Sequence, residues 1–159
     1  MGMSGSIPLS RCGIYCGACY VYRAERDSGE FLRETAERQK VEPGEVKCNG
    51  CLAPEDQRWK NCKGCKTERC LDGRGFTFCY ECGEFREGTC EYYEGLAAFC
   101  ARRGEDMRTN LVKMEADLEG WLREQGEKWR CGRCGGPYSW YEESCHHCGA
   151  DLGRADLRP

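Results

Sequence analysis

Cysteine is the residue that most constrains this chain, since it supplies 16 of 159 positions and most of these stand in pairs separated by two residues. The C-x2-C pairs are Cys16/Cys19, Cys48/Cys51, Cys62/Cys65, Cys79/Cys82, Cys131/Cys134 and Cys145/Cys148. Two thiolates at this spacing can reach one ion from a tight turn, whereas disulfide frameworks join cysteines at wider separations. The pattern predicts a metal-binding protein with reduced thiols, and therefore a cytoplasmic one.

The clearest site signal lies near the C-terminus, where the last two pairs stand ten residues apart and each is followed by a glycine. A glycine after the second cysteine lets backbone amides turn toward the thiolates. Tyr138, Trp140 and Tyr141, between the pairs, have high β-propensity. Residues 127–153 are therefore predicted to form a zinc ribbon on a short C-terminal β-hairpin, with the four cysteines of these pairs as ligands.

The cysteines before residue 127 are the second source of ligands. They comprise four C-x2-C pairs and four single cysteines, which are Cys12, Cys70, Cys90 and Cys100. Cys100 lies in the helical run LAAFCARR, where a cysteine behaves as a small hydrophobe, so we predict it to be a core residue. The others are predicted metal ligands: Cys12, Cys16, Cys19, Cys48, Cys51, Cys62, Cys65, Cys70, Cys79, Cys82 and Cys90.

The metal of this cysteine-rich core is open between several zinc ions and a [4Fe–4S] cluster, because four thiolates hold either and spacing separates them poorly. The bacterial ferredoxin run C-x2-C-x2-C-x3-C-P is absent, and no cysteine is followed by proline. The turns CNGC and CKGC suit a zinc ion. Zinc is the favoured interpretation, and an iron–sulfur cluster in the N-terminal core is the alternative.

Three cysteines near the start, Cys12, Cys16 and Cys19, have the spacing C-x3-C-x2-C. Radical enzymes that cleave S-adenosylmethionine use this spacing, but they need a largely complete α/β barrel, which 159 residues with so many other cysteines cannot build. A thioredoxin-like redox pair needs a βαβ context, which the flanking sequence lacks. We therefore predict that these thiols take a fourth cysteine from elsewhere in the chain and close one metal site.

The sequence offers no recognisable catalytic constellation. The only two histidines, His146 and His147, lie in the predicted ribbon, where we expect them on the surface, so the core has no histidine to act as a general base. The sequence therefore favours a metal-binding accessory or protein-interaction module over an enzyme. An iron–sulfur accessory protein for electron transfer or cluster delivery is the alternative.

Helical signal appears in three places. A helix is predicted over residues 18–40 with a break at Ser28-Gly29, and a second over residues 92–103. A third carries an apolar stripe whose members are four and three residues apart, which favours packing on its own domain over binding a partner. The stripe consists of Met107, Leu111, Met114, Leu118 and Trp121.

Between these helices, residues 47–90 contain few large aliphatic side chains and no periodicity. Such a segment buries too little apolar surface to offset its ordering entropy, so we predict turns that bound metal holds together. The expected fold class is a small metal-stabilised protein, mostly α, with irregular cysteine-rich loops and the C-terminal ribbon. Its expected parts are residues 7–126 and 127–153.

The charge balance argues against a nucleic-acid partner, because phosphate binding draws on a basic surface. The formal net charge of −3 counts cysteines as neutral, but four divalent ions, each held by four thiolates, would bring it to about −11. No apolar run is long enough for a membrane span. We therefore expect a protein partner and no membrane, with the ribbon aromatics and the Met107 stripe as candidate contact surfaces.

Four cysteine motifs also carry a resemblance to a known family: CGIYCGAC at residues 12–19, CNGC at 48–51, CKGCKTERC at 62–70 and CYECGEF at 79–85. This succession resembles the domain of unknown function 3795 family. The segment GWLREQGEKWRCGRCG is similar to members with a C-terminal zinc ribbon, so the resemblance covers essentially the whole chain. It implies a small cysteine-rich prokaryotic protein that is thought to bind metal, with no established reaction.

Overall fold

Short helices joined by cysteine-bearing turns make up residues 6–154, the part of the chain that the computed structural model describes. The α-helices in this range are α1 (Tyr20–Asp27), α2 (Gly29–Gln39), α3 (Lys66–Arg74), α4 (Gly83–Glu87), α5 (Glu91–Ala101), α6 (Met107–Ala116) and α7 (Leu118–Lys128). Single 3-10 turns span Cys16–Ala18, Pro43–Glu45, Glu55–Gln57, Lys60–Cys62 and Cys79–Glu81. In the described range, no helix is long and apolar enough to cross a membrane.

The β-hairpin predicted for the C-terminal zinc ribbon is wrong. Within residues 6–154 the structure has no β-strand, and residues 127–153 contain only the isolated bridges Arg130↔Pro137 and Ser144↔Asp151. Each bridge closes the loop around one cysteine pair, and neither joins one pair to the other. The fold is therefore helical with irregular turns, and the C-terminal cysteines lie on two separate knuckles.

The residues between the two knuckles make other hydrogen bonds in place of a strand ladder. The amide of Trp140 donates to the carbonyl of Ala18, 3.1 Å away in the loop before α1. The amide of Ser139 donates to the Glu142 carboxylate, 2.6 Å away, and forms a turn. High β-propensity is overridden here because these partners satisfy backbone groups that a hairpin would pair.

The three predicted helical segments are present with different boundaries. The first is interrupted as predicted, since Ser28 adopts a positive φ of 50° between α1 and α2. The second corresponds to α5. The third is predicted as one continuous helix, but Asp117 divides it into α6 and α7. The Asp117 carboxylate accepts a hydrogen bond from the amide of Gly120, 2.9 Å away, and so caps the start of α7.

Two further helices lie where the sequence predicts only turns. Residues 47–90 contain α3 and α4, which are nine and five residues long. Cys65 caps α3, because its sulfur accepts a hydrogen bond from the amide of Glu68, 3.4 Å away. Each helix buries one large side chain, Leu71 on α3 and Phe85 on α4. Elements that bury so few residues leave no periodicity in the sequence, which explains the missed prediction.

The apolar stripe on α6 and α7 faces the main core, as the sequence favours. Its members Met107, Leu111, Met114 and Trp121 are each at most 4% exposed. The residues that pack with them include Leu9, Tyr15, Phe85, Tyr93 and Trp129. The Met107 stripe is therefore part of the core and is not available to a partner.

A buried polar network holds the loop that carries the first cysteines. Glu105 is 1% exposed, and its carboxylate accepts a hydrogen bond from the amide of Tyr15, 3.1 Å away. Asn110 on α6 donates to the carbonyl of Gly13, 2.8 Å away. Because buried polar groups are costly unless they are paired, these contacts fix the position of the loop over α6.

The same loop approaches α6 so closely that only glycine fits at its bend. Gly13 has a φ of +96°, and a Cβ atom there would lie 2.4 Å from the carbonyl oxygen of Met107. The hydroxyl of Tyr93 on α5 donates to the carbonyl of Cys12, 3.1 Å away. The opening cysteines are thus positioned by the helices that follow them in the chain.

Glu105 gives this network a pH dependence. Burial raises the pKa of its carboxyl to about 7, against the opposing hydrogen bond from the amide of Tyr15. Because this value lies above the ordinary 4.5, the contribution of Glu105 to stability is full below about pH 4.5 and is lost as the pH rises through 7. Between pH 6 and pH 8 we expect the free energy of unfolding of Glu105→Gln to rise relative to wild type by about 1 kcal/mol, measured in urea.

Glu127→Gln is the matched control, since Glu127 is exposed on α7. This variant should follow the wild type at both pH values. A difference between Glu105→Gln and wild type that does not change with pH would contradict the assigned role of Glu105.

Candidate metal centres

The C-terminal thiol group consists of Cys131, Cys134, Cys145 and Cys148, whose sulfur atoms all lie within 4.8 Å of one another. The Sγ atoms of Cys131 and Cys148 are 3.7 Å apart, as are those of Cys134 and Cys145. Four sulfurs at a Zn–S distance of about 2.3 Å form a tetrahedron with edges of about 3.8 Å. The group therefore has the ligand number and spacing that one tetrahedral zinc ion requires, and the predicted convergence of the two pairs is confirmed.

The glycines after the two pairs shape these knuckles as the sequence predicts. Gly135 and Gly149 have φ values of +73° and +72°. Their amides donate to the carbonyls of Cys131 and Cys145, at 2.8 and 2.7 Å. The backbone amide of Cys134 points at the sulfur of Cys131 and lowers the pKa of that thiol to about 7. The turn thus favours the thiolate form that binds metal.

The N-terminal thiol group consists of Cys16, Cys19, Cys48, Cys51 and Cys62. The thiols of Cys16 and Cys51 are close enough for each to shift the pKa of the other, and Cys19 and Cys48 also lie near enough to raise the pKa of Cys16. The thiols of Cys19, Cys51 and Cys48 also lie near Cys62 and raise its pKa. The structure thus brings the opening motif beside the CNGC turn, where it has cysteines from elsewhere in the chain as neighbours.

Two more cysteines stand at the edge of this group. Cys12 and Cys65 line a cavity of about 20 Å³ together with Cys51 and Cys62. Both Cys51 and Cys79 raise the pKa of Cys12, so Cys12 lies between this group and the thiol group that contains Cys79. The N-terminal region therefore offers more thiols than the four that a single zinc ion takes.

Backbone contacts fix the CNGC turn in this group. The amide of Cys48 donates to the Glu25 carboxylate on α1, 2.8 Å away. Gly50 has a φ of +90°, and a Cβ atom there would lie 2.4 Å from the carbonyl oxygen of Ile7. The turn consequently requires glycine between its two cysteines.

Burial disfavours the charged form of two thiols in the N-terminal group. It raises the pKa of Cys19 to about 11 and that of Cys62 to about 12. Cys51 shifts the other way, because the neighbouring thiol of Cys16 stabilises its thiolate and lowers its pKa to about 7. A bound divalent ion would offset the cost of gathering several thiolates in one buried place, and its binding would release protons.

The middle thiol group consists of Cys70, Cys79, Cys82 and Cys90. All four line one cavity of about 40 Å³, whose apolar wall includes Leu71, Phe85, Tyr92 and Tyr93. They come from α3, from the turn Cys79–Glu81 and from the residues that precede α4 and α5. Burial raises the pKa of Cys79 to about 12, and the other three thiols of the group add to this shift.

Arginine side chains lie beside these buried thiols. The guanidinium of Arg74 donates to the sulfur of Cys82, 3.3 Å away. Arg58 lines the cavity at Cys51 and Cys62. Because a divalent ion with four thiolates carries a net charge of about −2, cations at these positions would stabilise a loaded site.

Cys100 stands apart from the three thiol groups. It lies on α5 within the main core, and burial raises the pKa of its thiol to about 11. The only charged side chains that also affect this pKa are Glu105 and Arg103, and no other cysteine does. This position agrees with the predicted core role. For the other cysteines the structure shows which ones lie together, and metal ligation by each of them stays a prediction.

One cluster of potential ligands is not predicted from the sequence. His146 is nearly buried, with a side chain 11% exposed, and its Nε2 lies 2.8 Å from the Asp27 carboxylate at the end of α1. His147 lies beside the same carboxylate, at 3.5 Å. The expectation of surface positions therefore fails for His146 and holds for His147, which is exposed. No sequence signal links Asp27 to His146, since 119 residues separate them.

Comparisons with known proteins give one match. The family model described as "Protein of unknown function (DUF3795)" matches residues 8–95. This span includes the N-terminal and middle thiol groups and ends before the C-terminal one. No curated protein and no solved structure matches the chain.

Proposed function

The chain belongs to the family of proteins of unknown function DUF3795, and from this premise we propose that it is a non-catalytic, zinc-stabilised module that binds a protein partner. The observation that carries the proposal is the gathering of its cysteines into three separate thiol groups. Each group has at least four thiols, enough for one structural zinc ion with no open coordination position. A closed site supports structure and leaves no place for a substrate on the metal.

The composition of the cysteine-rich half supports a structural role for the metal. In residues 47–90 the only leucines are Leu52 and Leu71, and Leu52 is 49% exposed. The chain there is held by turns and by two short helices. Because so little apolar surface is buried, the free energy of metal binding must supply a large part of the folding free energy of this region.

The identity of the metal is best supported at the C-terminal group, where the sulfur spacing fits a zinc tetrahedron. For the core, an iron–sulfur accessory protein is the second candidate. Among the described residues, the C-terminal thiols are the only ones that form a set of three or more within 4.8 Å. A cluster of four irons and four sulfides is larger than one ion, so its thiolates stand further apart. The wider N-terminal group, with its additional thiols, is where a cluster would fit.

Of the two candidate surfaces for a protein partner, the Met107 stripe is buried, which leaves the aromatic side chains near the knuckles. Two aromatic side chains, Phe99 on α5 and Tyr141 between the knuckles, are 41% and 39% exposed. The guanidinium of Arg103 lies over both rings, 3.9 and 5.4 Å from their centroids. Arg103 itself is only 8% exposed, so it supports the two rings from beneath. Exposed aromatic side chains are a type enriched in protein interfaces. We assign the contact with a protein partner to this aromatic patch of Phe99 and Tyr141, which Arg103 holds in place.

Metal counting on the anaerobically purified protein tests the proposal. We expect about three zinc ions per chain, one for each group, and a colourless protein. Cys79→Ser should lose one ion, whereas Cys100→Ser, the matched control, should keep them all. Bound iron together with broad absorbance near roughly 400 nm would contradict the zinc proposal and favour the iron–sulfur accessory protein. Protein that is folded and free of both metals would contradict both.

A further inference from the structure

A cluster of one carboxylate and two imidazoles lies outside the three thiol groups. The donor atoms of Asp27, His146 and His147 all lie within 4.8 Å of one another. Asp27 ends α1, whereas the two histidines stand on the second C-terminal knuckle. The cluster therefore lies where the C-terminal segment contacts the first helix of the cysteine-rich half.

We propose that Asp27, His146 and His147 form a site for one divalent transition-metal ion, separate from the thiolate centres. Imidazole and carboxylate together suit ions such as Zn²⁺, Co²⁺ and Ni²⁺, whereas thiolates, which are softer ligands, select softer metal ions. Three protein ligands leave coordination positions for water, which distinguishes this site from a closed four-thiolate site.

The surroundings of His146 hold its imidazole in an orientation suited to metal binding. Its Nδ1 lies 2.7 Å from the carboxylate of Glu142, while its Nε2 faces Asp27. A histidine ligand commonly donates its second ring N–H to a carboxylate, which fixes the ring and leaves the other nitrogen free for the ion. The ring of Phe31 on α2 stacks on the imidazole with a centroid distance of 4.1 Å.

The other two ligands differ in how much they must move. The Asp27 carboxylate is 10% exposed and has the guanidinium of Arg23 at 3.9 Å as a neighbouring cation. His147 is more open, and its Nε2 makes a 3.0 Å hydrogen bond to the carbonyl of Pro137. Binding an ion would exchange that hydrogen bond for a metal bond at an exposed side chain, which is a small rearrangement.

A structural alternative is a proton in place of the ion. With both ring nitrogens protonated, His146 would donate to Asp27 and Glu142 at once and would tie α1 to the knuckle without metal. The two occupants make different predictions, because only the metal site involves His147 and only the metal site gains an ion from solution.

Cobalt titration of the full-length protein distinguishes them. The thiol groups are kept in the metal-loaded form in which the protein is purified, and Co²⁺ is then added while binding is followed by calorimetry and by absorption. We expect one further equivalent of Co²⁺, with a weak visible spectrum and without a thiolate-to-cobalt charge-transfer band. A strong charge-transfer band would show displacement from a thiol group and would overturn the assignment.

Variants locate the ion. Asp27→Asn and His147→Asn should each weaken Co²⁺ binding by about tenfold or more, while the metal content of the thiol groups stays unchanged. Glu127→Gln, an exposed carboxylate on α7, is the control and should bind as the wild type does. His147 is exposed, so its variant should stay folded even if Asp27→Asn does not. Absence of an additional equivalent would overturn the metal site in favour of the proton-bridged alternative. Binding that His147→Asn leaves unchanged would overturn the assignment of the ion to this cluster.

Discussion

Removing the bound metal with a chelator under reducing conditions is expected to unfold the cysteine-rich half of the protein. Structural zinc contributes roughly 10–16 kcal/mol per ion in small domains, which equals or exceeds the whole stability of a typical domain, about 5–15 kcal/mol. Helices α1, α3 and α4 each begin directly after a cysteine, namely Cys19, Cys65 and Cys82. The measurement is circular dichroism together with hydrogen exchange, before and after chelation.

Restoring zinc to the chelated protein provides the control, since the helical signal and the amide protection should return with it. The loss should be largest in residues 47–90, which bury few apolar side chains for their length. Native circular dichroism and a cooperative thermal transition in the chelated, reduced protein would contradict a structural role for the metal.

The second large effect is expected from Leu111→Ala on α6. Leu111 is 0% exposed, and its side chain packs beneath the Gly13 bend that carries the first cysteines. Removing it creates a cavity, so we expect a loss of about 2–5 kcal/mol in the free energy of unfolding, measured in urea with metal present. Val112→Ala changes the next residue on the same helix, which is 57% exposed, and should cost less than about 0.5 kcal/mol.

This pair also separates the two interpretations of the apolar stripe. A stripe that bound a partner would leave the isolated protein nearly as stable after Leu111→Ala as after Val112→Ala. Equal stabilities for the two variants would therefore contradict the core assignment.

The parts of the fold that sequence could predict are those in which a local rule acts alone. Gly135 and Gly149 end the two knuckles, because the backbone there has the positive φ values that suit glycine. The convergence of the four C-terminal thiols is predictable from these two turns. The break at Ser28-Gly29 is another local signal. The stripe from Met107 to Trp121 is a third, because apolar side chains at helical spacing predict a buried face, and four of its five members are buried.

The parts that sequence could not predict depend on long-range partners. Trp140 and its neighbours have the β-propensity of a hairpin, yet the Trp140 amide pairs with Ala18, more than a hundred residues earlier. Asp117 interrupts an otherwise continuous helical stripe by capping α7. Cys65 is predicted to be a metal ligand, and its sulfur also caps the start of α3.

The same limit applies to the candidate sites. The C-x2-C spacing identifies ligands but does not assign them to groups, because interleaved and sequential pairings have the same spacing. Cys70 and Cys90 join Cys79 and Cys82 only through the packing of three helices around one cavity. The contact between Asp27 and His146 has no local signal at all.

The reactivity of two exposed cysteines reports whether their thiol groups hold metal. Cys70 and Cys134 are exposed, one in the middle thiol group and one in the C-terminal group. A brief pulse of iodoacetamide on the anaerobically purified protein, followed by peptide mass spectrometry, reports whether metal protects them. Because a thiolate bound to metal reacts slowly, we expect both to stay unmodified until a chelator is added and then to be alkylated rapidly. Alkylation of both in the untreated protein, at the rate of a free exposed thiol, would contradict metal binding by these two groups.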